Sequence, residues 1–217
     1  MILVMQNAVP APEEDRPLAL RAVDRAVARH QAAASDEVRR LLDAGLAVMR
    51  RTQSIDPRVS EMVREAGLSN QAFYRNFRSK EELLVAILDD GARTLVEYLR
   101  HQMAKATDPL DAVRRWIAGI LTQAADRGAA ERTRPFALNS LRLAHQFPED
   151  SRRSAELLQA PLREALEGVA GADPVADADA IYQLAMGRTQ AALVQRRRPS
   201  KDEIAHTCAF AVGGLRR

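Results

Sequence analysis

The chemistry-bearing residues of this chain gather between Ser69 and Lys80, where Ser-Asn-Gln-Ala-Phe-Tyr-Arg-Asn-Phe-Arg-Ser-Lys holds three basic residues and no acidic one. Phe73 and Phe77 lie one helical turn apart. If they face inward, Asn70, Gln71, Tyr74, Arg75 and Asn76 fall towards the other side. Those side chains suit the reading of a nucleic-acid duplex. Asn and Gln pair in bidentate fashion with adenine, Arg pairs with guanine, and a Tyr hydroxyl reaches phosphate. Hydrolytic, redox and metal chemistry have no comparable grouping. There is no phosphate-binding glycine loop, no paired metal-ligand motif and no recognisable Ser, His and acid arrangement. Neither catalysis, a cofactor nor a metal site is expected.

To present that face, Asn70 to Phe77 must be a short helix held by a neighbour. Asp56 and Pro57 read as the start of that neighbour, a capping acid before a proline whose missing donor costs nothing there. Val59, Met62, Val63 and Ala66 share one face, and Gly67 stops it. Gly67, Leu68 and Ser69 then form a three-residue turn, with Ser69 able to cap the second helix. Two short helices across a tight turn place the first residues of the second where a major groove can take them. Upstream, a helix is expected from Ser35, carrying Val38, Leu41, Leu42, Leu46 and Met49. Downstream, Ser79 to Glu82 forms a capping box opening a long helix towards Lys105, roughly 39 Å at 1.5 Å per residue.

The rest of the chain keeps the helical period. Asp108 and Pro109 open a helix running to Gly128. Pro135 is expected to open a shorter one through Phe147, and the helix from Glu149 is expected to kink at Pro161. Two final helices complete the chain, the second opening on a Ser200–Glu203 capping box. Arg196, Arg197 and Arg198 between them are read as cations at a helix C-terminus. The fold class expected is therefore all-α.

The 217 residues are 47% hydrophobic, 28% charged and 4% aromatic, with 32 basic residues against 29 acidic. That is globular composition. The single cysteine, Cys208, excludes a disulfide framework within the chain. The apolar opening from Met1 to Met5 is too short for a signal peptide and runs into Pro10, Pro12, Glu13, Glu14 and Asp15. A cytoplasmic protein without a membrane anchor is expected.

Val59 to Leu84, reading VSEMVREAGLSNQAFYRNFRSKEELL, resembles the DNA-binding domain of the tetracycline-repressor (TetR) family of bacterial transcriptional regulators. The resemblance rests on Met62, Val63, Ala66, Gly67, Leu68, Ser69, Tyr74, Phe77, Ser79, Lys80, Glu81 and Leu83. It implies a three-helix helix-turn-helix head at 35–82, joined by a long connecting helix to a helical effector-binding and dimerisation domain at 83–217. Residues 1–34 exceed the family's short arm. Leu20, Val23 and Val27 against Arg21, Arg25 and Arg29 suggest a further amphipathic helix there, partly helical or disordered and solvated.

Carried over by resemblance, Ser69 belongs to the turn, Asn70 to Phe77 is the recognition helix, and Tyr74 and Lys80 contact phosphate. Base reading falls to Asn70, Gln71 and Arg75, with Asn76 beside them. Gln53 stands where the family has glycine, and Asp56, Pro57 and Arg58 replace threonines, so Arg58 or Ser60 takes over their phosphate contact. The resemblance also implies a homodimer on a palindromic double-stranded operator, with half-sites about one helical turn apart, and release by an unidentified small-molecule effector. Trp116, Phe136, His145, Phe147 and Met186 are the candidate effector lining. Ile181, Leu184, Ala185, Ala191, Ala192, Ile204, Cys208 and Val212 on the last two helices are the candidate dimer interface. A helical adaptor with a degenerate head stays open as the alternative.

Overall fold

The computed structural model describes residues 17–215, which form ten α-helices and, among the described residues, no strand. They are α1 (Leu18–Thr52), α2 (Val59–Ala66), α3 (Asn70–Asn76), α4 (Lys80–Met103), α5 (Pro109–Ala125), α6 (Arg127–Leu138), α7 (Ser140–Gln146), α8 (Pro148–Leu166), α9 (Pro174–Val194) and α10 (Lys201–Leu215). The protein is all-α.

Two apolar cores divide the helices. The first gathers Leu41, Val48 and Met49 of α1, Met62 and Val63 of α2, Phe73 of α3, Phe77, and Leu83, Leu84 and Ile87 of α4. The second is built round Trp116, Ile117, Ile120 and Leu121 of α5, with Leu162 and Leu166 of α8, Ile181 and Ala185 of α9, and Cys208, Val212 and Leu215 of α10. Leu99 of α4 belongs to this second core. One helix thus feeds both cores, and Ile87 and Leu99 stand about 18 Å apart along it.

Several helix ends obey their local signals. Gly67 adopts φ 63°, the left-handed conformation that glycine takes without a Cβ penalty, and Leu68 N–H donates to Val63 O at 2.8 Å. Ser69 Oγ accepts from Ala72 N–H, and Ser79 Oγ from Glu82 N–H. Asp108 caps α5 by accepting from Asp111 N–H at 2.7 Å. The box at Ser200 and Glu203 closes in both directions.

Other boundaries differ from expectation. No helix starts at Ser35: α1 is continuous from Leu18, because the alanine-rich stretch before Ser35 contains no breaker and favours helix by itself. The apolar residues Leu18, Leu20, Val23 and Val27 are exposed along it. The rest of the expected extension, residues 1–16, lies outside the described residues. Asp56 does not cap α2; Arg58 holds the N-cap position without a side-chain bond. Asp126, not Gly128, separates α5 from α6, because its carboxylate accepts from Ala129 N–H at 2.8 Å and starts a new helix at once. Pro135 sits inside α6 instead of opening a helix. Pro161, by contrast, lies inside α8 without dividing it, which agrees with the expectation that the helix runs on past it.

Candidate nucleic-acid interface

The recognition segment is aimed by its own apolar residues. Ala72 and Phe73 are buried, and Phe73 packs on Phe77 with ring centroids 5.9 Å apart. Burying Phe73 turns the opposite side of α3 to solvent. Asn70, Gln71, Tyr74 and Arg75 are exposed there, Tyr74 at 61%. Ser69 at the turn, Arg58 before α2 and Ser60 in its first turn are exposed as well.

Arg40 of α1 fixes the turn. Its Nε and Nη2 donate to Ala66 O at 3.1 and 2.6 Å, and Nη2 also donates to Gly67 O at 3.1 Å. Carbonyls at the end of a helix lack partners within it, and a cation there also meets the negative end of the dipole. α1 therefore holds the C-terminal end of α2 in place, and with it the entry to α3. The 26-residue separation between Arg40 and Ala66 leaves no local pattern from which this contact could be read.

Three of the expected DNA-contacting residues are engaged within the chain. Arg75 Nη2 donates to both carboxylate oxygens of Glu37, at 2.6 and 2.7 Å. Asn76 is half-buried, and its Nδ2 donates to Glu37 Oε2 at 2.9 Å and to Ala72 O at 2.8 Å. Asn76 therefore faces α1 and not the open face of α3. The Arg75 and Asn76 donors hold the Glu37 carboxyl below its usual range, and Glu37 in turn raises Arg75. Lys80 Nζ donates to Asp56 Oδ1, which lowers Asp56 and raises Lys80. Neither ion pair enters the sequence reading, which gave Asp56 only a capping role, since neither pair is local.

The candidate effector residues do not share one cavity. Trp116 is fully buried in the second core, where its Nε1–H donates to Leu158 O at 3.0 Å, and Met186 packs against the same core. Phe136 and Phe147 pack against the first core instead, and His145 is exposed. Bulk or adaptability singled these residues out in the sequence without giving which core, if any, each one packs against.

The candidate dimer residues mostly face inward. Ile181, Ala185, Ala192, Cys208 and Val212 are buried within the single chain, while Leu184 and Ile204 are half-buried against the second core. The small residues on α9 let it approach its own neighbours closely: Ala192 packs with Ala124 and Ala130. Ala191 alone of the eight is exposed. The outward faces carry Ala180, Gly187, Ala191 and Val194 on α9, and Ala205, Ala209, Phe210 and Gly213 on α10.

Residues 41–87 match the family model described as bacterial regulatory proteins, tetR family. Similar solved structures include a fatty acid degradation regulator, FadR, from Bacillus halodurans, at 20% identity and TM-score 0.64 over 83% of this chain and 97% of that one. A TetR-family transcriptional regulator from Streptomyces coelicolor is similar at 18% identity and TM-score 0.62, covering 83% of this chain and 94% of that one. FadR from Bacillus subtilis, solved in complex with stearoyl-CoA, gives 14% identity and TM-score 0.60 over 81% and 96%. A comparison with curated proteins finds no match. Residues 41–87 thus form a DNA-binding domain of the tetR-family type, and the chain as a whole has the fold of these regulators.

Among the described residues no helix is long and apolar enough to cross a membrane.

Proposed function

We propose that the chain is a non-enzymatic transcriptional regulator of the cytoplasm, a repressor that binds a palindromic operator as a homodimer and is released by a small molecule. The observation that carries DNA reading is the exposed face of α3, where Asn70, Gln71 and Tyr74 stand opposite buried Ala72 and Phe73. Arg58, Ser60, Ser69 and Lys80 flank that face as backbone-contacting groups, and Arg75 supplies a guanine reader. The proposed division is an N-terminal extension at 1–34, a DNA-binding head at 35–82 and an effector-binding and dimerisation domain at 83–217.

The homodimer is supported by the outward faces of α9 and α10. A helix apolar on two sides needs cover on both, and within one chain these helices are covered on one. Phe210 is 68% exposed and Val194 47% exposed. A Cβ added at Gly187, Gly213 or Gly214 would meet nothing within 4 Å inside the chain. Glycine in a helix costs about 1 kcal/mol relative to alanine, so close approach by a second copy is the reading that gives these residues a use. The dimer face is accordingly moved from the inward residues to Ala180, Gly187, Ala191, Val194, Ala209 and Phe210.

For the effector, long-chain acyl-CoA thioesters are the first probes, because one structural neighbour was solved with stearoyl-CoA. Trp116, the single tryptophan, reports on the second core by its fluorescence. The test of the whole reading is selection of duplex DNA from a random pool by purified protein, followed by affinity against salt. Enrichment of a palindrome with a steep salt slope supports it; no enrichment from protein shown by mass spectrometry to be free of bound ligand overturns it.

A further inference from the structure

The carboxylate of Glu37 stands where an acid works against DNA binding. It lies on α1, against the recognition helix, with its side chain 22% exposed. Asn76 holds it from one side, and that amide is itself fixed by its bond to Ala72 O. Arg75 closes on it from the other through Nη2 alone. A guanidinium has two parallel N–H forks, one made by Nη1 and Nη2 and the other by Nε and Nη2. Nη2 is common to both. While the pair is closed, Arg75 has no complete fork to offer the O6 and N7 acceptors of guanine.

The two competitors for Arg75 differ in charge. A phosphate that approaches the closed pair meets no net charge and also faces the Glu37 carboxylate, so it gains little from Arg75 and displaces few counterions. A guanine edge is neutral, is not repelled by Glu37, and repays the opened pair with two hydrogen bonds in the one register that aligns them. We propose that Glu37 is a specificity-determining positioning residue: it withholds Arg75 from the DNA backbone and releases it to a guanine in the cognate register. This rests on the DNA-binding reading above.

The test uses the full chain, the duplex enriched by selection, and a shuffled duplex of the same length. Glu37→Gln keeps the size of the side chain and an acceptor oxygen while removing the charge. It should add one effective phosphate contact, steepening the salt slope on the shuffled duplex by about 0.9, which at 0.1 M salt is roughly eightfold in affinity. Affinity for the enriched duplex should rise less, so the ratio between the two falls severalfold. In an Arg75→Ala background the same substitution should raise shuffled-duplex affinity by less than about twofold, because the cation it frees is gone. Glu37→Asp retains the charge and should keep the parental slope, which guards against a Glu37→Gln protein that folds poorly. An unchanged slope and ratio in Glu37→Gln, or an equal gain with and without Arg75, overturns the inference while leaving DNA binding intact. A parent that enriches no sequence overturns the DNA-binding reading and this one with it.

Discussion

Removing the Arg40 side chain should cost both stability and DNA affinity. Arg40 makes three hydrogen bonds to two carbonyls, those of Ala66 and Gly67. Bonds from a charged donor contribute about 1.5–3 kcal/mol each when well protected. Here the side chain is 43% exposed, so water competes for the same groups and will solvate the freed carbonyls in part. A total of about 2 kcal/mol for Arg40→Ala is therefore expected rather than the undiscounted sum. For a chain of this size, 1 kcal/mol moves the thermal midpoint by about 2–4 °C, so Tm should fall by about 4–8 °C. Arg40→Lys should recover less than half of the loss, since an ammonium carries no planar fork to span two carbonyls. Because the turn aims α3, affinity should fall for the enriched and shuffled duplexes together. Circular dichroism melts and duplex titrations check both effects. Arg40→Ala protein that melts within 1 °C of the parent and binds DNA equally would refute the reasoning that α1 holds the turn.

Gln53 adopts φ 55°, a left-handed conformation that favours glycine, and ends α1 with its Oε1 buried without a hydrogen-bond partner. Gln53→Gly should stabilise the chain by about 0.5–1 kcal/mol, the relieved strain outweighing the lost Nε2 bond to Arg50 O and the extra freedom of glycine in the unfolded chain; urea denaturation gives the difference. Phe210→Glu should convert the proposed dimer to monomer in analytical ultracentrifugation without loss of helicity, because the ring is 68% exposed within one chain and would be buried only in the proposed interface. Glu37, Asp56, Asp111, Glu131, Glu164 and Glu203 are all held below their usual range by hydrogen-bonded partners. A depressed folded-state pKa gives stability that is fully present above the unfolded values, 3.8 for Asp and 4.5 for Glu, and is lost as pH falls through the folded ones. These groups should thus leave the urea midpoint flat between pH 6 and 8 and lower it progressively below about pH 4.5; a midpoint that rises on acidification would contradict these pairings.

The features legible in the sequence are those that depend on near neighbours. The stop at Gly67 and the caps at Ser69, Ser79, Asp108 and Ser200 each involve residues three to five apart, and all appear in the structure. The turn between α2 and α3 and the inward pair Phe73 and Phe77 rest on the same short-range logic. Illegible were the contacts that tune the site. Glu37 is 38 residues from Arg75 and Asp56 is 24 from Lys80, and no periodicity relates them. Choosing a face failed on α9 and α10 for a different reason. Both helices are apolar nearly all round, so spacing alone does not separate the side packed on α5 from the side left open.

The division of the candidate effector residues between two cores bears on how a regulator of this shape is built. α4 is the covalent link, with Ile87 in one core and Leu99 in the other. It is not the sole contact between the head and the rest. Leu143 of α7 is buried in the head's core with Phe136 and Phe147 packed beside it, and Arg50 of α1 pairs with Glu131 of α6 at 3.2 Å. α6 and α7 are in turn tied to α9: Arg134 Nε donates to Leu193 O at 3.1 Å, and Gln190 Nε2 to Ser140 Oγ at 2.6 Å. A shift of α9 thus reaches the head through packed side chains as well as through α4. Close-packed cores resist continuous deformation and change by repacking between discrete arrangements. The head's core contains residues of both α4 and α7, with Phe136 and Phe147 packed against it, so moving either helix alone would disturb its packing. The two connections must therefore move together, and the orientation of α3 is set by how α4 and α7 are jointly seated.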